Sequence, residues 1–108
     1  MDAFDLQELS RRRAADGRPY LEFLRVPDLS AGLYEIPAGG ADLQSPHTED
    51  ELYYVAAGRA TIRVGEEDRL VGPGSLVFVA ATVPHRFHSI IENLSVLVVF
   101  GPAEHGRA

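Results

Sequence analysis

The sequence predicts an all-β fold, a sandwich or a barrel, built as a single domain. Seven runs of about strand length are rich in Val, Ile, Leu, Tyr and Phe. Groups of Gly and Pro separate them at short, even intervals, a spacing typical of antiparallel sandwiches and barrels. A chain of 108 residues is long enough for one core but too short for two. The predicted strands are 20–26, 31–36, 51–56, 60–64, 75–79, 85–91 and 94–100.

Only the N-terminus is predicted to be helical. We expect Asp2 to cap a short helix, because an Asp side chain can accept hydrogen bonds from the free N–H groups of the first turn. Gly17 is expected to end that helix, since glycine tolerates the left-handed conformation common at this position. The predicted organisation is a helical segment at 1–17, a β-barrel at 18–101 and a flexible tail at 102–108.

Composition excludes several classes of function. The chain has no Cys, which excludes disulfides, thiolate nucleophiles and Cys-based metal sites. Its ten basic residues are all Arg, so no lysine is present to form a Schiff base. A formal net charge of −6 offers no general field for phosphate backbones, so we expect no nucleic-acid partner. No apolar run approaches the ~20 residues that cross a bilayer, so no membrane partner is expected either.

Strand parity places Glu51 on an inward face. Successive side chains of a strand point to opposite faces, so residues two apart share one face. Glu51 therefore shares its face with Tyr53 and Val55. A charged side chain is costly in such a place unless a partner neutralises it. The pattern predicts that Glu51 has a partner inside the fold.

Two histidines are candidates for that partner. Parity groups His85 with Phe87 and Ser89 on one face. His47 lies four residues before Glu51, an even spacing that puts both on one side if the chain is extended there. We therefore expect the three side chains to converge. Two plainer interpretations stay open: a solvated acidic turn at the strand start, and a rim histidine hydrogen-bonded to a backbone carbonyl.

The order of two short motifs resembles that of the cupin family. The first family motif (Gly, His-x-His, Glu, Gly) is matched in GGADLQSPHTEDELYYVAAG by Gly39, His47, Glu51 and Gly58. Ser45 stands at the position of its first histidine. The second motif (Gly, Pro-x-Gly, His, Asn) is matched in GPGSLVFVAATVPHRFHS at Gly74 and His85. The resemblance covers about residues 21–100 and implies a jelly-roll barrel, or double-stranded β-helix, after the short N-terminal helix.

The resemblance implies one divalent transition-metal ion at the mouth of the barrel, held by His47, Glu51 and His85. Two imidazoles and a carboxylate suit Fe, Mn, Zn, Ni or Co, and the same donors occur in non-haem iron oxygenases and some catalytic zinc sites. A serine hydroxyl is a poor ligand compared with imidazole, so the coordination position at Ser45 is left to water or substrate. Family chemistries that need three histidines and a glutamate are therefore not implied.

Three further side chains are expected at this site. Tyr53 is the catalytic candidate, as a proton donor or an orienting group, because its phenol shares the face of the ligands. Ser45 and Phe87 are candidates for binding substrate. Each has a structural alternative, since Ser45 can cap the loop and the two aromatic rings can be ordinary core.

Two functions fit these expectations. In the first the protein is a metal-dependent enzyme acting on a small molecule, dioxygenase-like or using Lewis-acid chemistry. In the second it is a non-catalytic module that binds a metal or a small ligand and acts as a sensor. The resemblance also implies a homodimer, because small cupins commonly pair. The acidic opening MDAFDLQEL differs from a signal peptide, so we expect a cytoplasmic protein.

Overall fold

The computed structural model describes residues 1–43 and 47–105. Within them the chain forms one helix followed by strands that pair antiparallel throughout. That helix is too short to cross a membrane. The elements are α1 (Leu6–Asp16), β1 (Tyr20–Val26), β2 (Leu29–Ile36), β3 (Asp50–Val64), β4 (Glu67–Val71), β5 (Leu76–Val79) and β6 (His85–Gly101).

Two long strands bend the sheet around its core. The strand order is β1-β2-β6-β3-β4, with β5 paired to β3 off this path. The first half of β3 pairs with β5 and its second half with β4, while β6 runs along most of its other side. Three register shifts between Val55 and Thr61 interrupt the pairing of β3 with β6, and such bulges bend a strand. The predicted all-β jelly-roll fold is confirmed.

The core lies inside the bend and follows the predicted alternation. Glu51, Tyr53 and Val55 on β3 are buried, whereas Leu52 and Tyr54 between them are exposed. The largest fully buried hydrophobic side chains are Tyr53, Phe87, Phe100, Leu33, Ile62 and Leu94. Apolar burial of this kind is the main stabilising contribution to a fold of this size.

The strand boundaries differ from the sequence prediction in two ways. The runs 51–56 and 60–64 belong to one continuous strand, β3, and the runs 85–91 and 94–100 are both part of β6. The sequence does not predict strand β4, because the Gly-Glu-Glu-Asp run at its start is typical of a turn. Of its side chains only Val71 is buried, so backbone pairing with β3 forms this strand without a hydrophobic pattern.

The helix begins later than predicted. Its first residue is Leu6, with Asp5 at the N-cap position, so the predicted cap at Asp2 is wrong. No side-chain hydrogen bond caps this end. Gly17 ends the helix in the left-handed conformation, with φ of 83°, as expected.

Ser89 is a correction to the parity argument for β6. It was expected to face inward with His85 and Phe87, which are buried, but Ser89 is exposed. Its φ of 50° lies in the left-handed region, which interrupts the alternation of the strand. Ile90 takes the next inward position and is 4% exposed.

The predicted tail is docked on the barrel in its described part. Ala103 is 3% exposed, and its N–H donates to the Pro27 carbonyl at 3.3 Å. The Glu104 N–H donates to Ser30 Oγ at 2.8 Å. We call residues 102–105 the C-terminal strap. Residues 106–108 lie outside the described part of the chain.

Candidate functional site

A histidine and a glutamate meet inside the barrel. Glu51 stands near the start of β3 and His85 at the start of β6. Their side chains converge, with His85 Nε2 lying 2.9 Å from Glu51 Oε1. Glu51 is 2% exposed and His85 is 8% exposed, so water solvates this pair little. The inward orientation predicted for both residues is observed.

The protonation of His85 follows from its other contact. Its Nδ1 lies 2.9 Å from the carbonyl oxygen of Val83, which can only accept, so Nδ1 carries the proton. In a neutral ring Nε2 would then direct a lone pair at the Glu51 carboxylate. Neither Nε2 nor the carboxylate oxygens of Glu51 have a partner in hydrogen-bond geometry among the described residues. A proton shared between the two groups, or a bound cation, would offset the charge of the carboxylate in this buried position.

The electrostatics agree with this picture. Burial alone would lower the pKa of His85, but the Glu51 carboxylate and the Val83 carbonyl outweigh it, so the pKa of His85 lies above its usual value. In the metal-free protein, the pair therefore favours a proton on the ring.

His47 lies beside this pair. Its ring centroid is 6.1 Å from that of His85, and its ring packs edge-on against Phe100 at 4.7 Å. Its backbone carbonyl accepts a hydrogen bond from the Thr82 N–H. Its Nδ1 is 3.2 Å from Glu104 Oε2, while Nε2 is buried and has no hydrogen-bond partner among the residues described.

Of the three predicted ligands, Glu51 and His85 are in contact, whereas His47 lies beside them without contacting both. Within residues 1–43 and 47–105, no three or more His, Asp or Glu side chains are grouped closely enough to hold a metal ion. The convergence of Glu51 with His85 is thus observed, whereas metal binding stays a prediction.

Tyr53 and Phe87 lie behind the pair. Tyr53 is fully buried, its ring centroid 5.9 Å from that of His85 and 5.0 Å from that of Phe87. Burial, followed by the charge of Glu51, raises the pKa of the Tyr53 phenol well above its usual range. Phe87 is 1% exposed and packs as core, so its role towards a substrate stays a prediction. Ser45 lies outside the described residues.

Sequence reasoning missed two carboxylates near the site. Asp42 accepts hydrogen bonds from the Tyr34 hydroxyl at 2.7 Å and from the Phe87 N–H at 2.9 Å, and so ties the loop after β2 to β6. Glu104 reaches His47 from the strap. Asp42 lies within the first motif region, which was a usable signal. Glu104 carries no such signal, because its segment has neither a motif nor a strand pattern and is therefore predicted to be a tail.

The remaining histidines, His88 and His105, lie away from the pair. His88 contacts Asp68 at 2.8 Å at the surface, and the hydrogen bond holds the pKa of Asp68 below its usual value. The side chain of His105 is 81% exposed.

Comparisons with known proteins agree with this fold. The cupin domain family model matches residues 32–100, so the chain belongs to the cupin family. An uncharacterised protein of Streptomyces coelicolor, SCO3923, is 53% identical over 104 residues, covering 96% of this chain and 99% of that protein.

Two solved structures illustrate the similarity. The protein TT1209 from Thermus thermophilus has 27% identity and a TM-score of 0.76, with 95% of this chain and 99% of that chain covered. The DMSP lyase DddQ from Ruegeria pomeroyi has 24% identity and a TM-score of 0.69, covering 82% of this chain and 49% of that one. At that identity the second likeness concerns the fold alone.

Proposed function

We propose that this cupin binds one divalent transition-metal ion through Glu51 and His85, with His47 as the third ligand. The contact of His85 Nε2 with Glu51 Oε1 carries the proposal. The two atoms are 2.9 Å apart but not in hydrogen-bond geometry. Ligand atoms bound to one ion at about 2.1 Å lie about 3 Å apart in an octahedral site and about 3.4 Å apart in a tetrahedral one, so this separation is close to that of two ligands of a shared cation.

The partners of the two rings support the same assignment. Metal-binding histidines usually donate their other N–H to a carbonyl or a carboxylate, which fixes the ring and its tautomer. Here the Val83 carbonyl lies at Nδ1 of His85 and the Glu104 carboxylate at Nδ1 of His47. Each Nε2 is thereby left buried, without a hydrogen-bond partner among the described residues, and can offer its lone pair to an ion. Which of Fe, Mn, Zn, Ni or Co is bound is left to the experiment.

The proposed activity is that of a small-molecule metalloenzyme. When bound, the metal would supply Lewis acidity or activate dioxygen. Tyr53 keeps its proton, because its pKa is raised far above neutrality, and a phenol of this kind is a poor general acid. We therefore assign Tyr53 an orienting role beside Glu51 in preference to proton donation.

A second candidate function is a binding or sensory module without turnover. The burial of the site favours it, because Glu51 is 2% exposed and Tyr53 is fully buried. Such enclosure accepts an ion more readily than an organic substrate. Oxygen consumption or substrate turnover by the metal-loaded protein would favour the enzyme, while metal binding without either would favour the module.

The test is a metal titration of protein purified without a His-tag or chelator. We expect wild type to bind Zn²⁺ or Mn²⁺ near one equivalent, and Glu51→Gln and His85→Ala to lose at least about 100-fold in affinity. That exceeds the roughly 10–100-fold cost of losing an outer-shell partner. His88→Ala, a surface histidine paired with Asp68, is the matched control and should bind as wild type.

Metal also stabilises a folded protein that binds it, so the melting temperature supplies a second readout. Added metal should raise Tm for wild type and the His88→Ala control, and not for Glu51→Gln. Equal affinity in all four proteins, or none in any, would refute the metal site. Should His85→Ala fail to fold, His85→Gln takes its place.

A further inference from the structure

We propose that Glu104 is a positioning residue, which acts through His47 and makes the C-terminal strap part of the site. Its carboxylate holds the His47 ring with the proton on Nδ1 and leaves Nε2 without a proton. The inference rests on the proposed function for its effect on metal affinity. Its effect on the ring itself can be measured without metal.

Main-chain contacts fix Glu104 independently of its side chain. Its N–H donates to Ser30 Oγ at 2.8 Å, and its carbonyl accepts from the Arg25 guanidinium. The preceding Ala103 is buried and hydrogen-bonded to the Pro27 carbonyl. These contacts anchor the strap on the β1 and β2 side of the barrel. Changing the Glu104 side chain therefore leaves the backbone anchors in place.

The strap is also held next to the start of β3. Glu49, which is 1% exposed, precedes the strand that carries Glu51. Its burial raises its pKa, but the Thr48 hydroxyl and the neighbouring backbone of His105 outweigh this and lower that pKa. The strap thus joins the β1–β2 edge to the entrance of β3. Glu104 lies between these attachments, and its side chain is only 16% exposed.

The contact with His47 determines which ring nitrogen is free. Glu104 Oε2 lies 3.2 Å from Nδ1, where a carboxylate oxygen can accept a hydrogen bond from a proton on that nitrogen. In the neutral ring Nε2 then carries the lone pair, and Nε2 is buried without a hydrogen-bond partner among the described residues. Without an acceptor at Nδ1 the ring could place its proton on Nε2, which would block that nitrogen as a ligand.

The variants are Glu104→Ala, which removes the acceptor, and Glu104→Gln, whose amide oxygen can still accept from Nδ1–H. Glu92→Gln is the control, because Glu92 is an exposed carboxylate paired with Arg59. The first readout is nitrogen NMR of the metal-free protein labelled at histidine. We expect the Nδ1–H tautomer of His47 in wild type, Glu104→Gln and Glu92→Gln, and its loss in Glu104→Ala.

The second readout is Zn²⁺ affinity by competition with a chelating dye. Glu104→Ala should bind about 10–100-fold more weakly than wild type, and Glu104→Gln should recover most of that loss. A purely structural role for Glu104 would lower stability without changing the tautomer. An unchanged tautomer in Glu104→Ala overturns the inference, even if wild type binds metal. If the tautomer changes in Glu104→Ala while wild type binds no Zn²⁺, the positioning role is upheld and the metal site is refuted.

Discussion

At the scale of single residues, Gly58 marks the sharpest constraint on the backbone. It lies in β3 within the middle one of the three register shifts, between Ala57 and Arg59, and has φ of 91°. A Cβ atom here would overlap the Asn93 carbonyl oxygen and lie 2.7 Å from Leu94 Cα. These neighbours are backbone atoms and cannot rotate away. The bend of β3 against β6 therefore requires glycine at this position.

We predict that Gly58→Ala lowers the free energy of unfolding by about 3 kcal/mol or more, from the left-handed φ together with the backbone clash. Gly65→Ala is the matched control, because Gly65 has φ of 59° but no atom within 4 Å of the added Cβ. It should cost about 1–2 kcal/mol. Urea denaturation of both variants measures the difference, and equal losses would contradict the clash.

What the sequence could predict at this scale depends on the range of the interaction. Strand alternation is local, so the inward positions of Glu51, Tyr53 and His85 followed from it. Ser89 departed because a left-handed φ interrupts the alternation, which residue type alone does not reveal. Glu104 was missed since its contact with His47 joins positions far apart in the chain.

At the scale of elements, helix α1 is attached to the sheet by a buried leucine and by two hydrogen bonds to one carboxylate. Leu9 is its buried residue, at 3% exposure. The Glu35 carboxylate on β2 accepts from Arg13 Nε at 2.7 Å and from Ser10 Oγ at 3.0 Å. The Glu35 carboxylate thus accepts hydrogen bonds from Ser10 and Arg13 of the helix. These groups are partly buried, and hydrogen bonds to a charged group are stronger there than at the surface.

We predict that Glu35→Ala lowers the free energy of unfolding by about 1.5–3 kcal/mol, because both helix donors lose their acceptor. The control is Glu22→Ala. Glu22 pairs with Arg25 at the same 2.7 Å, but these side chains are 33% and 46% exposed, against 20% and 21% for Glu35 and Arg13. An exposed pair contributes about 0.2–1 kcal/mol. Thermal or urea unfolding measures both variants. A larger loss of unfolding free energy in Glu22→Ala than in Glu35→Ala would show that burial does not determine how much each ion pair stabilises the fold.

Element boundaries were predictable where hydrophobic residues defined them. The bounds of β1 are those predicted, Tyr20–Val26. Strand β4 has one buried side chain, Val71, so its residues carry no pattern that distinguishes a strand from a polar turn. The sequence predicts two strands in place of β3, because Gly58 separates the two apolar runs. In the structure the strand bends at Gly58 without ending.

At the scale of the whole molecule, the fold was predictable from the order of two motifs along the chain, and the family match over residues 32–100 confirms it. The outer surface could not be predicted from the sequence, because it depends on which strands lie side by side. Leu52 and Tyr54 on β3 pair with Phe78 and Leu76 on β5. All four side chains point outward and are between 41% and 65% exposed. We call this group the β3–β5 face.

We propose that a second copy of this chain covers the β3–β5 face. Large exposed apolar groups on neighbouring strands are typical of interaction surfaces. The chain carries a net charge of −6, so two copies repel one another, and a contact through uncharged side chains adds least to that repulsion. These four residues carry no charge, and a two-fold axis would bring the same apolar group of each copy together.

We therefore predict that the protein has a mass of twice 11.8 kDa in light scattering at micromolar concentration. Phe78→Glu should convert it to a monomer, because the change buries an unpaired charge in the contact between copies. Leu70→Glu is the matched control, since Leu70 on β4 is 81% exposed and outside the β3–β5 face, and it should stay dimeric. A monomeric wild type would refute the proposal, and a dimer that persists in Phe78→Glu would place the contact on another face.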